Sequence, residues 1–167
     1  MPHYLRESQP KLAKAQKKLK HKKGGSNNWK KQQRRVAKIH RKVANQRKDF
    51  LHKKSAEIAN RYDIVCVENL NMRSMSNKAF GNGKATLDNG YGMFLRMLEY
   101  KLQDRGKRFV KVDKWYPSSQ ICSICGYRQK LTLSVRTYEC PCCGAVIDRD
   151  LNASVNIKNE GLRLLSV

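Results

Sequence analysis

The chain has 167 residues, enough for one ordinary domain or a small domain with an appendage, and carries 36 Lys and Arg against 13 Asp and Glu, a net charge of +23. Such an excess repels itself unless an anionic partner neutralises it, and phosphate backbones are the commonest such partner. The N-terminus MPHYLRESQPKLAK has no apolar core of the signal-peptide kind and no window approaches about eighteen apolar residues, so a secretory leader and a membrane span are not expected.

The charge is concentrated at the N-terminus, where residues 1–60 hold 19 basic and 3 acidic side chains. Ser8 and Pro10 read as a helix start, followed by KLAKAQKKLKHKK with Leu12, Ala15 and Leu19 at helical spacing. GGSNN at 24–28 is a turn by composition. A second helical pattern then runs from about Trp29 to Asn60 without Gly or Pro. Trp29, Val36, Val43 and Phe50 recur every seven residues, with Ile39 beside them, and Ala37, Ala44, Leu51 and Ile58 form a neighbouring row. The pattern predicts a basic helical hairpin with one narrow apolar seam. Its expected nucleic-acid-binding side chains are Lys17, Lys18, Lys30, Lys31, Arg34, Arg35, Lys38, Arg41 and Lys42.

After RYD the pattern changes. IVCV at 64–67 is a short β-branched run expected of a buried strand, and it ends at Glu68. Residues 69–88 read as a loop rich in Asn, Ser and Gly. YGMFLRMLEYKLQDRG makes an amphipathic helix on Met93, Phe94, Met97, Leu98 and Leu102, stopped at Gly106. RFVKV is a second strand, and the final LNASVNIKNEGLRLL is helical by pattern, broken or kinked at Gly161. A strand–helix–strand–helix order implies α/β packing on a partly parallel sheet.

Cys122-x2-Cys125 and Cys140-x2-Cys143 are separated by fourteen residues. Two such knuckles present four thiolates to one tetrahedral Zn²⁺, and the gap leaves room for a connecting β-hairpin. Gly126 and Gly144 supply the free backbone that the knuckle turns need. Cys142 is adjacent and surplus, and the spacing favours Cys143 as the ligand. Cys66 is expected to be a small buried hydrophobe. A closed four-thiolate site has no open position for substrate, so its zinc is structural, and it would hold a basic insert carrying Arg128, Lys130 and Arg136.

Chemistry must come from the few acids. Glu68 closes a buried strand, and Asp150 opens the last helix, where a carboxylate is electrostatically favoured. From such positions two carboxylates can converge on Mg²⁺, the ion that polarises phosphodiesters. Asp148 reads as a turn or cap residue and Asp113 as part of a strand-end loop.

VENLNM at 67–72, PSSQICSICG, and CPCCGAVIDRDLNASVNI resemble, in wording and order, the C-terminal half of the transposon-encoded OrfB/TnpB proteins, insertion-sequence transposases related to the type V CRISPR effector nucleases. The resemblance covers essentially the whole chain. It implies an α/β fold, a partial RNase H-like (RuvC) domain with a basic helical hairpin and an inserted zinc ribbon. The expected segments are 1–60 for the hairpin, 61–118 for the RuvC-like part, 119–146 for the ribbon, and 147–167 for the last RuvC-like motif with its helix. It further implies that Glu68 and Asp150 are catalytic, with Mg²⁺ as the catalytic ion and Zn²⁺ held by the ribbon. DNA and a guide RNA are the implied partners, with no membrane, in the cytoplasm of a prokaryote at the nucleoid.

The family's first catalytic Asp, in a D-x-G strand motif, has no counterpart here. Asp49, the sole Asp before residue 63, lies inside the helical seam with no glycine after it. The reading is therefore a truncated member that lacks an N-terminal half and retains two of three metal-binding carboxylates. A non-catalytic DNA- or RNA-binding regulator of the element, or a decayed gene product, are the alternatives.

Overall fold

The computed structural model describes residues 3–70, 90–132 and 134–166, so most of the loop expected over 69–88 lies outside the described residues. The chain divides into two compact units, residues 1–61 with 71–101, and residues 62–70 with 102–167.

In the first unit, helices α1 (Tyr4–Lys20) and α2 (Asn27–Arg61) pack against each other as a hairpin. Helix α1 begins before the expected start, and Pro10 lies inside it. Proline costs the helix one backbone bond there, and packing of the Leu12 face on α2 keeps the helix continuous across it. Gln32 Nε2 donates to the Ala15 carbonyl at 2.9 Å, a buried polar link between the two helices.

The seam of α2 follows only part of the expected pattern. Val43, Leu51, Ser55 and Ala59 are its buried members, with Trp29, Val36, Ile39 and Phe50 half-buried, whereas Ala37 and Ala44 face solvent. Ser55 and Ala59 are small and yet fully buried, so the face that packs, and not side-chain size, decides which residues turn inward. Helix α3 (Tyr91–Gln103) belongs to this unit as far as Lys101. It buries Met97 and Leu98, and buried Lys101 donates to the His52 carbonyl at 2.6 Å and to Ser55 Oγ at 2.7 Å.

In the second unit, β1 (Ile64–Glu68) and β2 (Arg108–Val112) pair in parallel, with Ile64 opposite Arg108 and Glu68 opposite Val112. A mixed α/β arrangement with a parallel pair is thus present. A 3-10 turn at Ser118–Gln120 leads to strands β3 (Thr137–Glu139) and β4 (Val146–Asp148), which pair antiparallel, and α4 (Arg149–Leu165) follows and packs on β1 and β2.

Helix α4 is not broken at Gly161. It runs through that residue to Leu165, and Gly161 is buried. A Cβ there would meet Cys66 Sγ and come within 2.8 Å of Cys66 Cβ on β1, so glycine marks where the helix presses onto the strand. Cys66 is half-buried at that contact, and burial pushes its thiol above the usual range.

Candidate functional site

The four cysteines singled out by spacing come together. The sulfurs of Cys122, Cys125, Cys140 and Cys143 all lie within 4.8 Å of one another, and Cys142 is outside the group and exposed. Cys122 Sγ is 3.8 Å from Cys143 Sγ, and Cys125 Sγ is 3.5 Å from Cys140 Sγ. Zn–S bonds of about 2.3 Å place the sulfurs of a tetrahedron about 3.8 Å apart, so the four thiols fit a metal such as zinc.

Both knuckles are built the same way. The Cys122 N–H donates to the Tyr127 carbonyl at 2.8 Å, and the Gly126 N–H donates back to Cys122 at 2.9 Å. In the second knuckle Cys140 and Ala145, then Gly144 and Cys140, make the same pair of bonds at 2.8 and 2.9 Å. Gly126 and Gly144 take φ of +77° and +74°, the left-handed region that side chains avoid. The antiparallel pair β3–β4 brackets the second knuckle, and among the described residues no strand pair fills the gap that leaves room for a hairpin between the two knuckles. The first knuckle has its own bridge, Ile121 to Arg128.

Beneath the cluster, Tyr138 is fully buried and donates its hydroxyl to the Tyr127 carbonyl at 2.9 Å. Burial pushes the Cys140 thiol up, but backbone N–H groups of Cys143 and Cys142 and the Cys125 thiol hydrogen-bond its sulfur and bring it down to about 7. A backbone hydrogen bond from Tyr127 lowers the Cys125 thiol, but burial and the other three sulfurs push it up to about 12.

The two acids also meet. Glu68, at the end of β1, and Asp150, in the first turn of α4, line one cavity of about 340 Å³ with Ser118, Ser119, Arg136, Arg149, Ala153 and Ile157. Burial raises the Glu68 carboxyl above its ordinary range. Asp148 is the N-cap of α4, its Oδ1 accepting from the N–H groups of Asp150 at 3.0 Å and Leu151 at 2.9 Å. That cap fixes the turn from which Asp150 projects. Asp113 is used locally, its Oδ1 accepting the Trp115 N–H at 2.7 Å.

Other residues hold this arrangement without having stood out in the sequence. Arg149 Nη1 donates to the carbonyls of Thr132 at 2.8 Å and Val135 at 3.1 Å, which ties the ribbon to the start of α4. Asn152, fully buried, accepts the Ser123 N–H at 2.8 Å and donates to the Ile121 carbonyl at 2.7 Å. Asn156, one turn on, donates to the carbonyls of Ser118 at 2.8 Å and Ile121 at 2.6 Å. Two asparagines four apart on a helix facing the core carry a signal, because buried amides are retained where they satisfy backbone groups.

In the first unit, Lys17, Lys18, Lys30, Lys31, Arg34, Arg35, Lys38, Arg41 and Lys42 are all exposed on α1 and α2. Lys30, Lys31 and Arg34 share a second cavity, of about 260 Å³, with Asn27 and Asn28. Asp49 is exposed and paired with Lys53 at 2.8 Å. No helix among the described residues is long and apolar enough to cross a membrane.

A parallel strand pair, a helix that carries an acid to the strand end, and a cluster of four cysteines that could hold a metal define a mixed α/β protein. The comparisons give that class a family. Residues 1–79 match the family model described as "Probable transposase" of the OrfB type, and residues 91–157 match the Cas12f1-like TNB domain. The chain is 41% identical over 165 residues to the "Putative RNA-guided DNA endonuclease" of Streptomyces pristinaespiralis, with 96% of this chain and 40% of that protein aligned. It is 32% identical to the "Putative RNA-guided DNA endonuclease InsQ" of Escherichia coli K12, with 97% and 44% aligned. It is 35% identical to the TnpB-like protein L79 of Acanthamoeba polyphaga mimivirus, with 80% and 26% aligned. The chain is a relative of the transposon-encoded OrfB/TnpB proteins, and it spans less than half the length of these relatives. A cryo-EM structure of a Cas12f1–sgRNA–target DNA complex shares the fold, with a TM-score of 0.60 at 22% identity over 93% of this chain and 41% of that one.

Proposed function

We propose that the chain is part of a metal-dependent DNA endonuclease of the RNA-guided, transposase-related kind. Its second unit supplies two of the acids of an RNase H-like (RuvC) site, and its basic helices bind DNA and guide RNA, at the nucleoid of a prokaryote. The observation that carries this reading is the convergence of Glu68 and Asp150 on one cavity, from a strand end and a helix start, together with kinship to proteins named as such endonucleases. Bound Mg²⁺ would polarise the scissile phosphodiester and activate water. Glu68 and Asp150 would hold it, while Arg136 and Arg149 on the same wall give phosphate oxygens a cationic surface. The ribbon, with Zn²⁺ on Cys122, Cys125, Cys140 and Cys143, would keep Arg136 and the start of α4 in register.

The described wall of the cavity carries two carboxylates, whereas a two-ion site needs several carboxylate oxygens. That favours a second reading, a binding module that occupies DNA ends or guide RNA without cutting. The test is to supply in trans a segment of a longer relative that carries the D-x-G strand motif, with Mg²⁺ or Mn²⁺ and single-stranded DNA. The endonuclease reading expects cleavage that Glu68→Gln and Asp150→Asn each abolish. Nucleic-acid binding with no cleavage under any such pairing would leave the regulator.

A further inference from the structure

Between β2 and the 3-10 turn, Trp115 is 80% exposed. A singly exposed hydrophobic side chain is ordinary, and what distinguishes this one is the backbone that presents it. The turn that presents it is braced. The Trp115 N–H is held by Asp113 Oδ1 at 2.7 Å, the Tyr116 N–H by the Asp113 carbonyl at 3.1 Å, and the Ser118 N–H by the Tyr116 carbonyl at 2.8 Å. Pro117 restricts the backbone further. Asn156 on α4 fixes the Ser118 carbonyl. Ser118 itself lines the cavity of Glu68 and Asp150, so the ring stands three residues from the wall of that cavity on a fixed backbone.

Lys114 Nζ lies 4.8 Å from the centroid of the Trp115 ring. A cation placed over one face polarises the ring and leaves the opposite face, given its exposure, to solvent. A rigid open indole flanked by an ammonium is the combination that binds unpaired nucleobases, which stack on the ring while the cation meets the adjacent phosphate. A duplex offers no free base face to such a ring. We propose that the Asp113–Pro117 turn is a stacking platform for an unpaired base of a single-stranded polynucleotide, with Trp115 taking the base and Lys114 the phosphate. The proposal rests on the reading of the cavity as a nucleic-acid site and specifies which strand state is led to it.

The chain has two tryptophans, Trp29 and Trp115, so a Trp29→Phe background makes the fluorescence report on Trp115 alone. In that background oligo-dT and oligo-U should quench the emission, and a duplex of equal length should not. Trp115→Ala should weaken single-strand affinity on the order of ten-fold, with Trp115→Phe recovering most of it. Duplex affinity and the salt dependence should stay unchanged in both variants. Quenching by oligo-dT alone or oligo-U alone would support the platform and assign it to DNA or RNA. Unaltered single-strand affinity in Trp115→Ala, with the salt dependence intact, would overturn the platform and leave the endonuclease reading standing. A blue shift that follows protein concentration and ignores oligonucleotide would also overturn it, by assigning the ring to self-association. Failure to bind any polynucleotide would overturn both.

Discussion

Replacing Gly161 with alanine sets two effects against each other. Alanine favours the helix by about 1 kcal/mol over glycine, but its methyl would enter the space of Cys66 Cβ and Sγ on β1, and such overpacking costs about 1–3 kcal/mol. The clash involves a strand atom that cannot swing away, so a net loss of about 1 kcal/mol is expected in urea unfolding. Adding Cys66→Ala should recover part of it. Glu68 gives a pH test. Burial raises its carboxyl, so its contribution to stability is full below the unfolded value near about 4.3 and is lost as pH rises through the higher folded value. Glu68→Gln should therefore melt above the parent at neutral pH and converge with it in acid. A variant that melts lower at neutral pH would show that Arg136 and Arg149, which share its cavity, dominate over burial. At the ribbon, Cys140→Ser should release metal and unfold the module, because a four-thiolate zinc site supplies about 10–16 kcal/mol of apparent binding energy. Cys142→Ser should retain one zinc per chain by elemental analysis, since Cys142 lies outside the cluster.

The two basic helices were legible in the sequence because a seven-residue apolar repeat and a glycine turn are local signals. Their finer features were not. The start of α1 was obscured by Pro10, which local rules place at a helix beginning and which packing on α2 overrides. The rows of α2 were sorted by apolar identity, whereas burial follows the face that packs, which takes in Ser55 and Ala59 and leaves Ala37 and Ala44 outside. Gly161 read as a breaker because sequence does not show which strand the helix will meet. The clustering of Cys122, Cys125, Cys140 and Cys143 was legible, since C-x-x-C spacing is itself the geometry. Which strands bracket which knuckle depends on pairings across Tyr138, which carries no spacing signal. The exposed cations of α1 and α2 predict binding that is steep in salt, with each phosphate contact contributing roughly one unit to the slope of log K against log salt. Replacing Lys30, Lys31, Arg34 and Arg35 together by Gln should lower that slope by roughly three to four units if all four reach phosphate, as a filter-binding titration would show. An unchanged slope would move the binding surface elsewhere.

For the whole molecule, charge and acid count act in the same direction. A chain of +23 repels divalent cations until nucleic acid neutralises it, and the described cavity offers the carboxylates of Glu68 and Asp150. The purified 167-residue chain should therefore show no appreciable Mg²⁺-dependent nicking of single-stranded or supercoiled DNA. Robust nicking lost in both Glu68→Gln and Asp150→Asn would mean that another acid completes the site. The pairing of these two acids could be anticipated from the wording of the motifs and from the ends of a strand and a helix. The amides that tie the helix bearing Asp150 to Ser118, Ile121 and Ser123 show in the sequence as two asparagines four apart, but their partners do not, because Asn152 and Asn156 act on backbone atoms of a distant turn. Those amides have a practical consequence. Asn152 joins the Ser123 N–H, inside the first knuckle, to the helix turn that bears Asp150. A chelator strong enough to strip a metal from the cysteines would loosen that turn as well. In any assay of this chain such a chelator would thus strike the cysteines and the turn under Asp150 together, and zinc would have to be returned before the effect of another ion could be read.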